Sequence, residues 1–474
     1  MQICKSLFRR FLARSIFSVL PALFAASVCA AQVPPAIQKA LKQTGVNPAD
    51  FSFEILPLEE KATSAGLNES VARRPASVMK IVTAASALDL LSPAKTWTTR
   101  LYTDGEVKNG VLNGNLYLVG TGDPSLDIGR IWLLVENMKA RGVRSFKGTL
   151  YVDRSSFDVP EVDPFAFDGE GNRPYNLGPD AAMLNYRAFV IEFRIDENGR
   201  SARLYHEPNL SGIKLQESVP VKPGSCEGWR KTIQPDFSNP YAPRFKGYLP
   251  KQCGNKNLLY TALSANDYVK LVFSDLMRRD GGSWNAEVKD GTLPEGARLL
   301  ADTYSEPLQK ILYNMNKYSN NLIARQVFLA LGETEKHEPK TLEKSRSAVT
   351  GWMQAIGAAD KDFYIDNGSG LSRRSKITAS ALNRVVRHMW NSPMMPEFIS
   401  TLPISGLDGT MKKRKVASGY AHIKTGYLND ARSICGVVQA KSGRRFAVSA
   451  IVNGKDAAKS LPLLNAVIEA ARDR

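Results

Sequence analysis

A chain of 474 residues with 43% apolar residues and a formal charge of +17 is too long for one hydrophobic core, so two or three domains are expected. The basic balance asks for an anionic partner. No zinc-finger, RRM or basic-zipper pattern accompanies it, which excludes the usual nucleic-acid readers.

The first thirty-odd residues read as an export signal cleaved after about residue 31. Lys5, Arg9, Arg10 and Arg14 form a basic n-region, Ile16 to Ala26 an apolar h-region, and Cys29, Ala30 and Ala31 a small-residue cleavage site. The h-region is shorter than the roughly 20 residues that cross a bilayer. Val28 ahead of Cys29 speaks against a lipidated cysteine. No later stretch is apolar enough to span, so no transmembrane anchor is expected after cleavage. The remaining chain carries +13, which suits an anionic wall polymer or membrane surface. Of five cysteines, Cys226, Cys253 and Cys435 remain. Cys226 and Cys253 lie in a Pro-, Gly- and Lys-rich stretch where a disulfide helps most. Cys435 falls in the apolar run Ile434 to Val438, as a packed thiol would.

The mature chain opens on a linker-like VPP, followed by an alternating strand at Phe51 to Leu56 and a turn with Gly66 and Asn68. Pro75 then precedes a buried helix, Ala76 to Leu91, rich in good helix formers. From Thr98 short alternating strands with Gly and Asn turns take over, and Ala202 to Asn257 is loop-rich. Helical patterns return at Tyr268 to Arg279 and Leu322 to Leu331. A hairpin turning at Lys441 to Arg444 and a closing helix, Leu461 to Arg472, end the chain. That helix has an apolar face fit for a sheet, with a membrane-surface role as the alternative. The early helix and the terminal hairpin bracket a long stretch of different texture, so one domain is split by an insertion. The expected order is a leader at 1–31, a first part at 32–97, an inserted unit at 98–201 and 258–297, a second unit nested in it at 202–257, and the remainder at 298–474.

Three short patterns carry chemistry: Ser77-Val78-Met79-Lys80, Ser319-Asn320-Asn321 and Lys424-Thr425-Gly426. Each is weak alone, and their order and contexts make the trio strong. Ser77 lies in the first turn of its helix and Lys80 one turn on. A buried amine kept neutral can take the serine proton, and the helix N-terminus favours the developing negative oxygen. Ser319 opens the next helix, where a hydroxyl can relay a proton to a leaving amine and the Asn321 amide can hold a peptide bond. Tyr318-Ser319-Asn320 reads equally as Y-x-N, and a plain helix cap is the bland alternative. Lys424 and Thr425 on an edge strand suit a substrate carboxylate, and Gly426 leaves room for close approach. The chain's four histidines (His206, His337, His388, His422) show no metal-ligand spacing, so neither metal nor cofactor is expected. Ser369 stands in Gly-Ser-Gly, not in a G-x-S-x-G elbow. Gly120-Thr121-Gly122 reads as a turn and not as a nucleotide loop.

With these motifs in place the sequence resembles the low-molecular-mass class C penicillin-binding proteins, the D-Ala-D-Ala carboxypeptidase/endopeptidase family. The blocks RRPASVMKIVTAASAL, LYLVGTGDPSL, YSNNLIARQ, DNGSGLSR, LPISGLDGTMKKR and HIKTG carry the resemblance. It implies an α+β multidomain chain. A transpeptidase-like domain, with an antiparallel sheet flanked by helices and an all-helical part, is split by an inserted mainly-β region. It implies a serine hydrolase of peptidoglycan peptides, acylated by penicillins and other β-lactams at Ser77, with D,D-cross-links as further substrates. Lys80 would be the base, Ser319 the relay and Asn321 a substrate-binding amide. Lys424 and Thr425 would meet the carboxylate, and the N–H groups of Ser77 and Tyr427 would form the oxyanion hole. That family usually has Ser or Thr after K-T-G, where this chain has Tyr427. A β-lactamase or esterase of the same superfamily is the first alternative, and a non-catalytic wall-binding protein the second.

Overall fold

A computed structural model describes residues 33–59, 64–279, 281–333 and 338–474; the expected leader and His337 lie outside them. The segment expected to be a linker is instead the helix Pro35–Thr44, with proline at its first position. There the ring presets φ and the missing N–H has no intrahelical acceptor to lose, so a Pro-Pro pair opens a helix. Ile37 and Ala40 pack with Leu463, Leu464 and Val467 of the helix Leu461–Arg472 on one face of a five-stranded sheet.

That sheet runs Ala65–Leu67, Phe51–Pro57, Arg445–Asn453, Ala431–Gln439, Ala421–Leu428, antiparallel throughout. Gly66, expected in a turn, pairs with Glu54 on the edge strand. The turn falls at Asn68, whose side-chain amide donates to the carbonyls of Pro48 and Phe51. Alternation divides the Arg445–Asn453 strand between two cores: Phe446, Val448, Ala450 and Val452 face the terminal helices, while Ala447 and Ile451 face the other way. On that second face lie the helices Lys80–Leu91, Leu308–Lys317, Asn321–Ala330, Leu342–Ala355 and Ala379–Trp390. The motif residues sit where this helical cluster meets the edge strand Ala421–Leu428.

The intervening chain builds two more sheet systems. One five-stranded sheet runs Glu287–Asp290, Thr149–Asp153, Leu116–Gly120, Thr98–Thr103, Arg298–Tyr304, beside a four-stranded one and the helices Ile128–Ala140 and Ala265–Arg278. The other runs Leu249–Pro250, Ser218–Lys222, Ser201–Glu207, Phe189–Ile195, Lys256–Tyr260, with the hairpin Ile233–Asp236/Arg244–Gly247 against it. Its strand Phe189–Ile195 starts ahead of residue 202, and Arg298–Tyr304 pairs with Thr98–Thr103 beyond residue 297. Sheet membership follows long-range register, which a local change of texture does not record. Cys226 and Cys253 form a disulfide 27 residues apart in sequence, a loop whose closure stabilises by roughly 3.5 kcal/mol in the chain-entropy model. Cys435 is a buried free thiol.

Candidate active site

Ser77 does not stand in an α-helix. It lies in a 3-10 turn, Ala76–Met79, that runs directly into the helix Lys80–Leu91. Lys80 is fully buried, as are Met79, Ile81, Val82 and Ala84 beside it in the chain. Its Nζ lies 3.0 Å from Ser77 Oγ, 2.7 Å from Asn321 Oδ1 and 2.6 Å from the Ser369 carbonyl oxygen. Burial first, then the positive charges of Lys424 and Arg325, hold its pKa well below that of an ordinary lysine. A neutral amine has two hydrogens and one lone pair. Asn321 Oδ1 and the Ser369 carbonyl can only accept, so they take the two hydrogens. The lone pair is left for the Ser77 hydroxyl, the arrangement a general base needs.

The loop before the helix Asn321–Ala330 divides its labour. Asn320 Oδ1 accepts from the Ile323 N–H at 3.1 Å and caps the helix. Ser319 and Asn321 are thereby free to face the cleft. Ser319 holds φ +57°, a left-handed conformation that costs a serine on the order of 1–3 kcal/mol and persists where the surroundings enforce it. Lys424 Nζ lies 3.0 Å from Ser319 Oγ and donates to the Thr425 carbonyl at 2.7 Å. Tyr318 is 67% exposed, and it is the serine that hydrogen-bonds to the second lysine.

On the edge strand Ala421–Leu428, Lys424 was expected to meet a carboxylate. It is completely buried, with its Nζ against Ser319 Oγ, and Thr425 lines the cleft. Burial pushes the Lys424 pKa down to about 7. The Thr425 hydroxyl is 2.8 Å from that of Thr410, whose loop is tied down by a 2.6 Å ion pair between Lys317 and Asp408. Packing alone already requires glycine at 426: a Cβ there would stand 2.6 Å from the Pro75 carbonyl oxygen and crowd Ala76. Tyr427 is 68% exposed at the cleft edge, under the Arg432 guanidinium 3.3 Å from its ring centre.

Ser77, Ser319, Asn321, Thr410, Thr425 and Tyr427 line one cavity of about 560 Å³. Among the described residues no group of three or more His, Cys, Asp or Glu is placed to hold a metal ion. Sequence reasoning missed Thr410, Arg325 and the Ser369 carbonyl. Ser369 contributes backbone and not hydroxyl, its Oγ being bonded to Asn367 Oδ1 at 2.8 Å.

Two buried lysines with lowered pKa fix the sign of the pH dependence. Lys80 acts as a base only when neutral, so acylation rises as pH rises through its depressed pKa. Protonated Lys424 stands against Ser319 Oγ, so turnover that draws on that proton is expected to fall as pH rises above about 7. A bell-shaped profile of kcat/KM is expected. Lys424→Arg, which keeps its proton at every working pH, should remove the descending limb, and an unmoved limb would assign it to another group.

A family model described as D-Ala-D-Ala carboxypeptidase 3 (S13) matches residues 34–472. The D-alanyl-D-alanine carboxypeptidase DacB of Haemophilus influenzae is 26% identical over 412 residues, covering 86% of each chain. A D-alanyl-D-alanine carboxypeptidase of Actinomadura sp. strain R39 is 25% identical over 435 residues, covering 83% of this chain and 76% of that one. The crystal structure of penicillin binding protein 4 from Haemophilus influenzae superposes with a TM-score of 0.75 at 23% identity, over 92% of this chain and 98% of that one.

Proposed function

This chain belongs to the D-Ala-D-Ala carboxypeptidase 3 (S13) family, and from that membership and the cleft geometry we propose how it works. It is a serine-type D-Ala-D-Ala carboxypeptidase. Ser77 attacks the carbonyl carbon of the penultimate D-residue while neutral Lys80 takes its proton. The N–H groups of Ser77 and Tyr427 hold the negative oxygen. Collapse breaks the C–N bond, and the leaving amine takes a proton through Ser319, backed by Lys424. Water then hydrolyses the Ser77 ester. The observation that carries this reading is the pair of buried lysines, each within 3.0 Å of a serine hydroxyl that opens on one cleft. A wall-binding protein without catalysis would gain nothing from burying Lys80, a costly placement. The wild type should release D-alanine from a peptide ending in D-Ala-D-Ala and not L-alanine from its L,L counterpart. Release by Ser77→Ala at the wild-type rate would end the proposal.

β-Lactams would form the same ester, a reading supported by the Haemophilus influenzae relative solved with a novel β-lactam. Export to the periplasm, with peptidoglycan as substrate and anionic wall polymer or membrane surface as a further partner, is part of the proposal. No helix among the described residues is long and apolar enough to cross a membrane. Strand pairing supports units at about 98–188 with 261–304, and at 189–260.

The terminal carboxylate has two candidate hydroxyls, Thr425 and Thr410, 2.8 Å apart, and Tyr427 occupies the position where a third would stand. Thr410→Val should raise KM for a D-Ala-D-Ala peptide about tenfold or more, the worth of one charge-assisted hydrogen bond. Tyr427→Thr should shift the same KM with little change in Ser77 acylation. A peptide with its carboxylate amidated should be insensitive to both, and equal sensitivity would remove these residues from the carboxylate side.

A further inference from the structure

The cleft hydroxyls of Ser319 and Thr410 belong to loops far apart in the chain, and one ion pair joins those loops. Lys317 ends the helix Leu308–Lys317, two residues ahead of Ser319, where its charge suits the negative end of the helix dipole. It is only 3% exposed, and an ammonium so buried costs heavily unless a counter-charge meets it. That counter-charge is Asp408, 91 residues on, whose Oδ2 lies 2.6 Å from Lys317 Nζ. Asp408 in turn stands two residues ahead of Thr410. Each partner of the pair therefore leads, two residues later, to a hydroxyl that lines the cleft.

Backbone contacts leave this junction little freedom. Asp408 Oδ1 accepts the Ile404 N–H at 2.7 Å, so the carboxylate closes its own turn with one oxygen and takes Lys317 with the other. Gly409 holds φ +53°, and a Cβ there would stand 2.6 Å from the Lys317 carbonyl oxygen. The turn thus packs directly on the backbone of Lys317, and from it Thr410 reaches the Thr425 hydroxyl at 2.8 Å. On the other side Ser319 keeps its left-handed φ of +57°, a conformation that persists only where the surroundings over-determine it. Asn320 is held by its helix cap and Lys317 by the ion pair.

Resting on the proposed peptidase reading, we propose that Lys317 and Asp408 are positioning residues whose ion pair fixes the Ser319 relay and the Thr410 hydroxyl in one register. Gripping the terminal carboxylate and protonating the leaving amine then depend on the same contact, although neither charged residue touches the substrate. Thr410→Val removes one hydroxyl and acts on KM. Loosening the pair displaces two groups at once, and a displacement of about 1 Å can cost on the order of 10²-fold.

The test is Asp408→Asn. An amide offers one oxygen where the carboxylate offers two, so either Ile404 or Lys317 loses its acceptor. On a D-Ala-D-Ala peptide kcat should fall and KM should rise, each about tenfold or more. On the same peptide with its carboxylate amidated, kcat alone should fall. The double variant Lys317→Met/Asp408→Asn removes both charges and separates position from stability. Its melting temperature should lie within a few degrees of wild type, because no buried charge is left unpaired, while both kinetic defects remain. Wild-type kinetics in Asp408→Asn, a change in only one of the two constants on the D-Ala-D-Ala peptide, or recovery of kcat and KM in the double variant would overturn the proposal. Should Asp408→Asn alone fail to fold, the kinetics of the double variant decide. A wild-type protein that releases no D-alanine would instead sink the peptidase reading.

Discussion

Lys80→Met is expected to slow acylation of Ser77 by on the order of 10³-fold while leaving the protein folded, because general-base assistance is worth roughly 10²–10⁴ and among the described residues Ser77 Oγ hydrogen-bonds to no other base. The substitution keeps the volume of the buried stem. It leaves Asn321 Oδ1 and the Ser369 carbonyl without the hydrogens they now accept, at about 1–3 kcal/mol each. Against this it removes the amine whose burial depresses the Lys80 pKa. These contributions oppose one another, so the melting temperature should move by only a few degrees. Stopped-flow labelling with a fluorescent penicillin measures the first effect and thermal denaturation the second. Acylation within tenfold of wild type would show that another group takes the proton.

The second large effect is expected at a residue without a side chain. Gly370 holds φ +77°, and a Cβ there would overlap the Ala76 carbonyl oxygen and approach the Ser77 nitrogen to 3.1 Å. The obstacle is backbone, which cannot rotate aside. Gly370→Ala therefore combines left-handed strain with a collision, and should cost on the order of 3–5 kcal/mol. What movement it forces falls on the turn that carries the nucleophile, so acylation should drop at least a hundredfold even where the variant stays folded. Gly351→Ala is the matched control, since it lies on a helix with nothing within 4 Å of the added carbon. That change should be neutral or slightly stabilising. Equal behaviour of the two variants would remove the account of Gly370.

The parts legible from sequence were those whose chemistry is local. Ser77 and Lys80 are one turn apart, the hairpin around Lys441 to Arg444 joins two apolar runs through a short polar turn, and Lys424-Thr425-Gly426 precedes it on the edge strand. What stayed hidden depends on partners distant in the chain. The Ser369 carbonyl reaches Lys80 across 289 residues, and a carbonyl leaves no signature in residue type. Arg325 reads as one polar residue in a helix, yet its buried charge helps depress Lys80. Thr410 gains meaning only from the Thr425 hydroxyl beside it. The helix Ile128–Ala140 was obscured for another reason: Trp132 and Leu133 are 48% and 46% exposed, which blurs the apolar stripe that would mark its period.

The central claim is that Ser77 is the nucleophile. Mass spectrometry of the intact protein after exposure to benzylpenicillin, followed by peptide mapping, tests it most directly. One added drug mass is expected, on the peptide that contains Ser77, with none on Ser77→Ala. An adduct on any other residue, or a Ser77→Ala protein labelled as fully as the wild type, would contradict it.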